Sequence, residues 1–421
     1  MKGSTVHTVV IGGGVIGLTQ AYHLAREGET VTVIDARATG LGASEVNAGW
    51  IVPAEAAPVP GPGVVLQSLK WMLRPDSPLY IRPSLQPDFL KFMFGMWRRS
   101  NFQDQRAGFE GHLRLAQHTI ETFDEYRADG MDFEMHSEGL LMAFTQKENL
   151  EHHLDNLDLP KAFGLDPQVL VGDDVRNHEP LLTDAVYGGI YFPLERHVDP
   201  GAMVTALHKR LVELGVQIVE NSPIDRVSRN GNTVTAVHSG EQTFSGDRFV
   251  LASGAWTGPL SKLFKEPLPV RPGKGYSVEV PAYGLRGAVN LSDAKVAVTP
   301  FNARLRLAGT MEFGGLDEKI NQVRIDAILR APRTYFRGWQ PPTEAVTPRA
   351  GIRPMTPDGM PVIGSLGSLS NTYVSTGHGM LGVTLAPGSA AALTDLILTG
   401  RKSPALLPFT SARFLRRNHA A

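Results

Sequence analysis

The chain of 421 residues contains no cysteine. That absence excludes disulfides, thiolate zinc sites, iron–sulfur clusters, a thiol nucleophile and any cysteine-linked prosthetic group. An excess of either charge is also missing. With 41 basic and 42 acidic side chains the formal net charge is -1, which gives nucleic acid no electrostatic reason to bind. No stretch approaches the ~18 uninterrupted apolar residues of a spanning helix. The first strand begins within a few residues of Met1, so no signal peptide is expected. The expectation is a soluble, cytoplasmic protein. Apolar residues make up 42% of the chain, enough for a sizeable core. The length exceeds what one core usually supports, so two structural units are expected.

Glycine is plentiful, and two glycine-rich turns stand near opposite ends of the chain. The first follows Val9-Val10-Ile11 and reads Gly12-Gly13-Gly14-Val15-Ile16-Gly17. The order strand, turn, helix, strand is that of a dinucleotide-binding unit. Gly12 permits the tight turn, Gly14 the approach of a pyrophosphate, and Gly17 the packing of helix on strand. The helix spans residues 15–27 with Ile16, Leu18, Ala21, Leu24 and Ala25 as its apolar stripe, and Gly28 ends it. Its amino-terminal N–H groups and dipole favour a phosphate. Asp35, 23 positions after Gly12, is close to the ~20 expected of the acid that holds a ribose hydroxyl. A carboxylate there disfavours NADP. This turn alone does not separate NAD from FAD.

The second turn decides between them. Tyr373-Val374-Ser375 runs into Thr376-Gly377-His378-Gly379-Met380-Leu381-Gly382. Two turns this far apart suggest one long cofactor held at both ends, namely FAD. Backbone N–H groups and a helix amino terminus beside the pyrimidine edge of a flavin stabilise its reduced anion.

Between the turns, apolar spacing predicts helices over residues 104–130, 199–214 and 388–398, with Asp199 capping the second. Residues 216–219 and 248–253 read as strands. Residues 53–99 are rich in proline and aromatics, and 263–345 read mostly as strands and turns. Phe89, Leu90, Phe92, Met93, Phe94, Met96 and Trp97, followed by Arg98 and Arg99, allow two readings. One is an amphipathic helix lying on the inner face of a membrane; the other is a core helix or active-site wall.

Several motifs occur in a telling order. They are Ser44-Glu45-Val46-Asn47-Ala48-Gly49, Gly139-Leu140-Leu141, Glu179-Pro180 and Val198-Asp199-Pro200. Lys274-Gly275-Tyr276-Ser277, Ala308-Gly309-Thr310-Met311-Glu312, Gly351-Ile352-Arg353-Pro354 and the second glycine turn follow. As an ordered set covering essentially the whole chain, they resemble the FAD-dependent D-amino-acid dehydrogenase group. That group lies within the wider glycine oxidase and D-amino-acid oxidase superfamily. The resemblance implies an α/β chain: a glutathione-reductase-like FAD-binding Rossmann domain with an interleaved α+β substrate domain on a mainly antiparallel sheet. The dinucleotide domain would comprise residues 1–56, 198–262 and 347–421, and the substrate domain 57–197 and 263–346. It implies non-covalent FAD and no metal. Gly12, Gly14, Val15, Ile16 and Gly17 would hold the pyrophosphate, and Asp35 and Ala36 the ribose. Ser44, Asn47, Ala48 and Gly49 would run under the flavin side, Val227 would meet the adenine region, and Gly254 and Trp256 the second crossing. Gly377, His378, Gly379 and Gly382 would lie beside the flavin.

Flavin oxidation of a C–N bond depends mainly on orientation. A substrate carboxylate calls for an arginine fork and a tyrosine hydroxyl. Arg353 and Tyr276 are the first choices, with Arg353 also beside the cofactor. Arg304 and Arg306 rank behind them, because alternation along that strand is expected to turn them to solvent. His378 joins the site residues; a ring hydrogen-bonded inside its loop is the alternative. The chain departs from the group at Thr299, which is followed by Pro300 and Phe301 rather than arginine. A drier pocket lined by Phe301, Tyr276 and Met311 is therefore expected. The activity implied is oxidation of an amino acid, a D-amino acid first, by hydride transfer to flavin N5. The resulting imine hydrolyses to a keto acid and ammonia. A secondary, cyclic or N-substituted amine is the alternative substrate, and a flavin-binding protein without amine chemistry the alternative class. Oxygen and a quinone both remain open as electron acceptor, as does oligomeric state.

Overall fold

The computed structural model describes residues 6–63, 74, 76–344 and 346–415. Residues 64–73 and 75 of the proline-rich stretch lie outside the described residues. Two large sheets organise the rest. The first has six strands, in the order Gln217–Val219, Thr30–Ile34, His7–Ile11, Arg248–Leu251, Thr372–Thr376 and Val362–Ser365. All neighbours are parallel except the last pair. Its centre is the apolar run of the first glycine turn, covered on both faces as a parallel sheet requires. Val10 faces the helices Val15–Arg26, Pro200–Glu213 and Gly382–Thr399, whereas Val9 and Ile11 face a small antiparallel sheet spanning residues 226–245. Each such buried side chain contributes about 1.5–3 kcal/mol.

The second sheet has nine strands and is mainly antiparallel. Its main path runs Arg349–Met355, Arg271–Pro281, Arg304–Phe313, Val296–Pro300, Ala288–Leu291, Leu140–Phe144, Gly188–Phe192 and Gln168–Val171. Leu79–Ile81 adds to the end of Arg304–Phe313. One strand departs from the expected segmentation. Arg349–Met355 falls within the segment assigned to the dinucleotide unit, yet it forms the edge of the second sheet beside Arg271–Pro281. This edge brings the second sheet against the first unit.

Three helices differ from their expected extents. Residues 104–130 form two helices, Phe102–Leu115 and Thr119–Ala128. The chain turns between them so that the Thr119 hydroxyl donates to the Thr384 carbonyl at 2.9 Å. The last long helix starts at Gly382 and carries Pro387 inside it, rather than beginning after that proline. This helix is long and apolar enough to cross a membrane by length and composition. It serves instead as a core helix packed on Val15–Arg26. Gln322–Arg330 is a helix within a region read as strands, capped by the Asn321 side chain. The helix starting at Pro200 follows the expected pattern, with Asp199 accepting from Gly201 N at 3.0 Å.

Candidate active site

A cavity of about 660 Å3 runs along the carboxyl ends of the parallel strands, where open α/β sheets place their ligands. Gly12, Gly14, Val15 and Ile16 form its middle. Asp35, Ala36 and Trp256 gather around Arg37 at one end, and Gly254, whose carbonyl accepts from Thr376 Oγ1 at 3.1 Å, stands by the second glycine turn with His378, Gly379 and Gly382. Ser44 and Asn47 also line it. The Ser44 hydroxyl accepts from Val15 N at 2.9 Å and so takes the first N–H of the helix. Asp35 accepts from Gly13 N at 2.6 Å and from Arg37 N at 2.8 Å. Burial raises its carboxyl pKa, against the opposing pull of those two bonds.

Other expected contacts lie elsewhere. Gly17, Ala48, Gly49 and Gly377 are not among the lining residues, and a Cβ on Gly17, Gly49 or Gly377 would meet the Gly12 carbonyl, the Val198 carbonyl or the Thr356 side chain. Val227 is also outside the lining. Its strand Arg226–Asn230 starts just beyond the cavity, and Ser222, Pro223, Ile224 and Asp225 supply that wall instead. The same end contains residues that sequence reasoning missed. Arg37 lies over the Trp256 ring at 4.8 Å and holds both oxygens of Glu318 at 3.0 and 3.1 Å. Leu316 and Glu318 come from the loop that follows Arg304–Phe313. No spacing rule links that loop to Arg37. Only the basic residue two positions after the ribose acid could have drawn attention.

The residues fit a dinucleotide. A Cβ on Gly12 would collide with the Ala252 carbonyl, and Gly14, at the N-cap of the helix that starts at Val15, offers no side-chain cap, so beyond the Val15 N–H taken by Ser44 the helix end is left for a ligand. At the far end His378 offers an unpartnered, buried Nδ1, while its Nε2 meets the Ser389 hydroxyl at 3.0 Å. Burial pushes its pKa down to about 3. His378 is therefore a neutral ring bonded within the fold and cannot serve as a base that holds a proton near neutrality. Among these residues, FAD would have its phosphates at Gly12–Ile16 and its ribose at Asp35.

The substrate side corrects one pairing. Tyr276 and Arg353 were expected to grip one carboxylate together. In the sheet Gly273 pairs with Arg353, Gly275 with Gly351, and Tyr276 with Ala350. Side chains alternate faces along a strand, so Tyr276 and Arg353 point to opposite sides. The Tyr276 ring packs with Ile325, Ile328 and Leu329, and its hydroxyl donates to Glu312 at 2.9 Å. Burial, and then that bond, hold the phenol well above its usual range. Lys274, buried on the same side, lies 3.5 Å from Glu312 and 3.1 Å from Asp317. This group is structural.

Arg353 faces the first unit. Its own side chain is not part of the cavity lining, although Ile352 and Pro354 on either side of it are. Nη1 donates to the Thr310 carbonyl at 2.7 Å and approaches Met311 Sδ at 4.0 Å. Among the described residues no carboxylate pairs with it. Burial alone lowers its pKa, to about 10, so the guanidinium stays charged at neutral pH. Met311, Met355, Phe313, Phe92 and Met96 form the adjacent apolar cluster, with Val59, Phe89 and Met93 packed against it. Of the expected dry lining, only Met311 adjoins Arg353; Phe301 lies beneath Arg304 and Arg306. Neither arginine turns to solvent. Arg304 pairs with Asp199 at 2.5 Å, and Arg306 donates to Glu279 and to the carbonyls of Glu45 and Asn47. Thr299, the residue before the departure at Pro300, donates to the Ala48 carbonyl at 2.8 Å.

Acid should loosen this structure. Burial lowers His378 to about 3 and His112, His197 and His23 each to about 4. These rings stay neutral in the folded chain, whereas the unfolded chain protonates them below pH ~6.5. The unfolded state then binds more protons, so stability falls as pH drops from about 6.5 toward 4. Glu55, raised to about 7 by burial, and Glu195, also raised by burial, act in the opposite sense. His153 and His178 are lowered by burial as well and Asp35 is raised, so lowered imidazoles outnumber raised carboxyls and leave a net loss of about 1–3 kcal/mol between roughly pH 6.5 and 5.5. Urea midpoints at those two pH values test this, and equal midpoints would contradict it.

Similarity to known proteins agrees with the geometry. Residues 7–396 match the family described as FAD dependent oxidoreductase. A D-amino acid dehydrogenase of Bradyrhizobium diazoefficiens is 33% identical over 404 residues, covering 94% of this chain and 95% of that one. D-amino acid dehydrogenase 1 of Mesorhizobium japonicum is 33% identical over 398 residues, covering 92% and 95%. The fold resembles glycine oxidase from Geobacillus kaustophilus, with a TM-score of 0.78 at 22% identity, covering 99% and 100%. With both glycine turns on one cavity and a match over most of its length, the chain belongs to the DAO family of FAD-dependent oxidoreductases.

Proposed function

We propose that this protein oxidises the C–N bond of D-amino acids with apolar side chains, and that Arg353 holds the substrate carboxylate. The observation that carries the reading is a half-buried guanidinium, desolvated by the fold around it, with no carboxylate partner among the described residues. Burying an unpaired cation is costly, and an incoming carboxylate offsets that cost. The neighbouring methionines and phenylalanines suit an apolar side chain and exclude water from the reacting carbon. Chirality enters from the relatives' names alone. Bound flavin supplies the two-electron acceptor for a hydride leaving the α-carbon. Arg353 fixes the carboxylate, and burial leaves His378 too weak a base to hold the amine's proton, so the substrate reacts as its free amine. The product imine hydrolyses to a keto acid and ammonia.

Anaerobic bleaching of the yellow holoenzyme tests this against D-, L-, cyclic and N-methyl amino acids. D-leucine, D-methionine and D-phenylalanine should bleach it fastest, and D-aspartate slowly. A yellow protein bleached by no amine would leave flavin binding without amine chemistry. Preference for proline or N-methyl substrates would assign it to secondary amines.

A second observation favours membrane contact. The helix Pro87–Arg99 buries Phe92 and Met96 but exposes Leu90, Phe94 and Trp97 along one stripe, each more than half exposed. The buried face suits the core-helix reading of this segment, and the exposed stripe is what supports the membrane reading. Lys91 and Arg98 flank the stripe without a carboxylate partner among the described residues, whereas Arg99 holds Asp104 at 2.9 Å. An apolar stripe with cations suits an anionic bilayer, where a quinone would be the electron acceptor in place of oxygen. The holoenzyme should co-sediment with anionic vesicles, and Phe94→Asp with Trp97→Asp should abolish this without changing flavin content. Wild-type protein left in the supernatant would end the membrane reading.

A further inference from the structure

The strand Arg304–Phe313 carries a threonine where its backbone suits glycine. Thr310 has φ +68°, in the left-handed region where a β-branched residue is strained. The register explains why it is there. Lys274 pairs with Glu312 and Tyr276 with Gly309, so Gly275 alone stands opposite both Thr310 and Met311. This is a bulge of the kind whose left-handed first residue is ordinarily glycine. The bulge turns the Thr310 carbonyl onto Arg353 Nη1 at 2.7 Å. Across from it, a Cβ on Gly275 would fall inside the Arg353 guanidinium. Gly275 thus forms the floor of a seat, and the Thr310 carbonyl and Met311 sulfur form its wall.

We propose that Thr310 is a positioning residue for Arg353, and that the strained bulge aims the guanidinium before substrate arrives. The inference rests on the reading of Arg353 as the carboxylate holder. One amino group of the guanidinium is fixed by the Thr310 carbonyl, which leaves the other N–H groups as a fork for a ligand. An arginine side chain has many rotamers, and fixing it in advance reduces the ordering cost of binding. Glycine at position 310 would adopt the same φ without strain, but it would let the peptide carrying that carbonyl rotate. The branched side chain stiffens it. Strained residues of this kind cluster at ligand clamps.

The test uses the holoenzyme, with benzoate and acetate as carboxylate probes read by perturbation of flavin absorbance. Thr310→Gly should leave the melting temperature equal or higher and weaken carboxylate binding by about tenfold. Thr310→Val keeps the branch without the hydroxyl and should bind within about twofold of wild type. Gly275→Ala should weaken binding further, with bound FAD unchanged. Unaltered affinity in Thr310→Gly overturns the proposal. So does a Thr310→Val defect as large as that of glycine, because the hydroxyl would then touch the ligand directly. A wild-type protein that binds neither probe also overturns it. Failure of the amino-acid reading shows separately, as carboxylate binding intact in an enzyme that no amino acid bleaches.

Discussion

Arg353→Met should raise the apparent KM for a carboxylate substrate by a factor of roughly thirty to several thousand, with bound FAD retained. The range corresponds to the 2–5 kcal/mol typically lost when one partner of a buried charge pair is truncated. Nη1 is engaged by the Thr310 carbonyl, so the substrate would use the remaining donors. Without them its carboxylate would be desolvated against Met311 and Met355 and left unpaired. Arg353→Lys keeps the charge but loses the fork, and should fall between the two. FAD content should hold because the Arg353 side chain is outside the cofactor cavity lining. Stability should not fall either. An apolar residue of similar size replaces a cation that burial disfavours, a change that is commonly neutral or stabilising. Steady-state kinetics, the ratio of flavin to protein absorbance, and a melting curve separate these effects. Unchanged kinetics would remove Arg353 from the site.

Gly12→Ala should cost the protein most of its flavin. Gly12 has φ +121°, which an L residue rarely adopts, and its Cβ would meet the Ala252 carbonyl carbon at 2.7 Å. Both obstacles are backbone, so no side chain can yield. Ile11 and Ala252 belong to adjacent strand ends, joined by Ala252 N donating to the Ile11 carbonyl at 2.8 Å. Relief would therefore separate the strands directly beneath the cavity that both Gly12 and Ala252 line. Strain of about 1–3 kcal/mol from the dihedral corresponds to roughly five- to 150-fold weaker cofactor binding, and the steric clash adds to it. Gly28→Ala is the control. That glycine also has positive φ, +84°, but nothing lies within 4 Å of its Cβ. It should lose about 1 kcal/mol of stability and keep its colour. A yellow Gly12→Ala protein with wild-type melting would refute the packing argument.

The sequence was most informative where the chemistry is local. The first glycine turn, its helix and Asp35 occupy one continuous segment, and their spacing is set by one turn and one crossover. Asp199 capping the helix at Pro200 is equally local. Errors arose where a contact depends on chain far away. The break between Leu115 and Thr119 serves a contact with Thr384, which lies in another part of the chain. The adenine-side wall gathers Arg37, residues 222–225, Trp256 and Glu318 from four segments. The placement of Val227 two residues beyond that wall shows how little margin such an inference has.

By itself the sequence determined the dinucleotide unit, its cofactor class and the candidacy of Arg353, because glycine, carboxylate and periodicity act over a few residues. Only the tertiary structure decided which side chains share a site. Tyr276 and Arg353 looked like partners, yet cross-strand register puts them on opposite faces, since a side chain's face changes with every residue. The bulge at Thr310 and Met311 turns Met311 toward Arg353 and Glu312 toward Tyr276. The pairing of Gly275 against two residues arises from contacts between distant strands, and no local spacing in the chain encodes it.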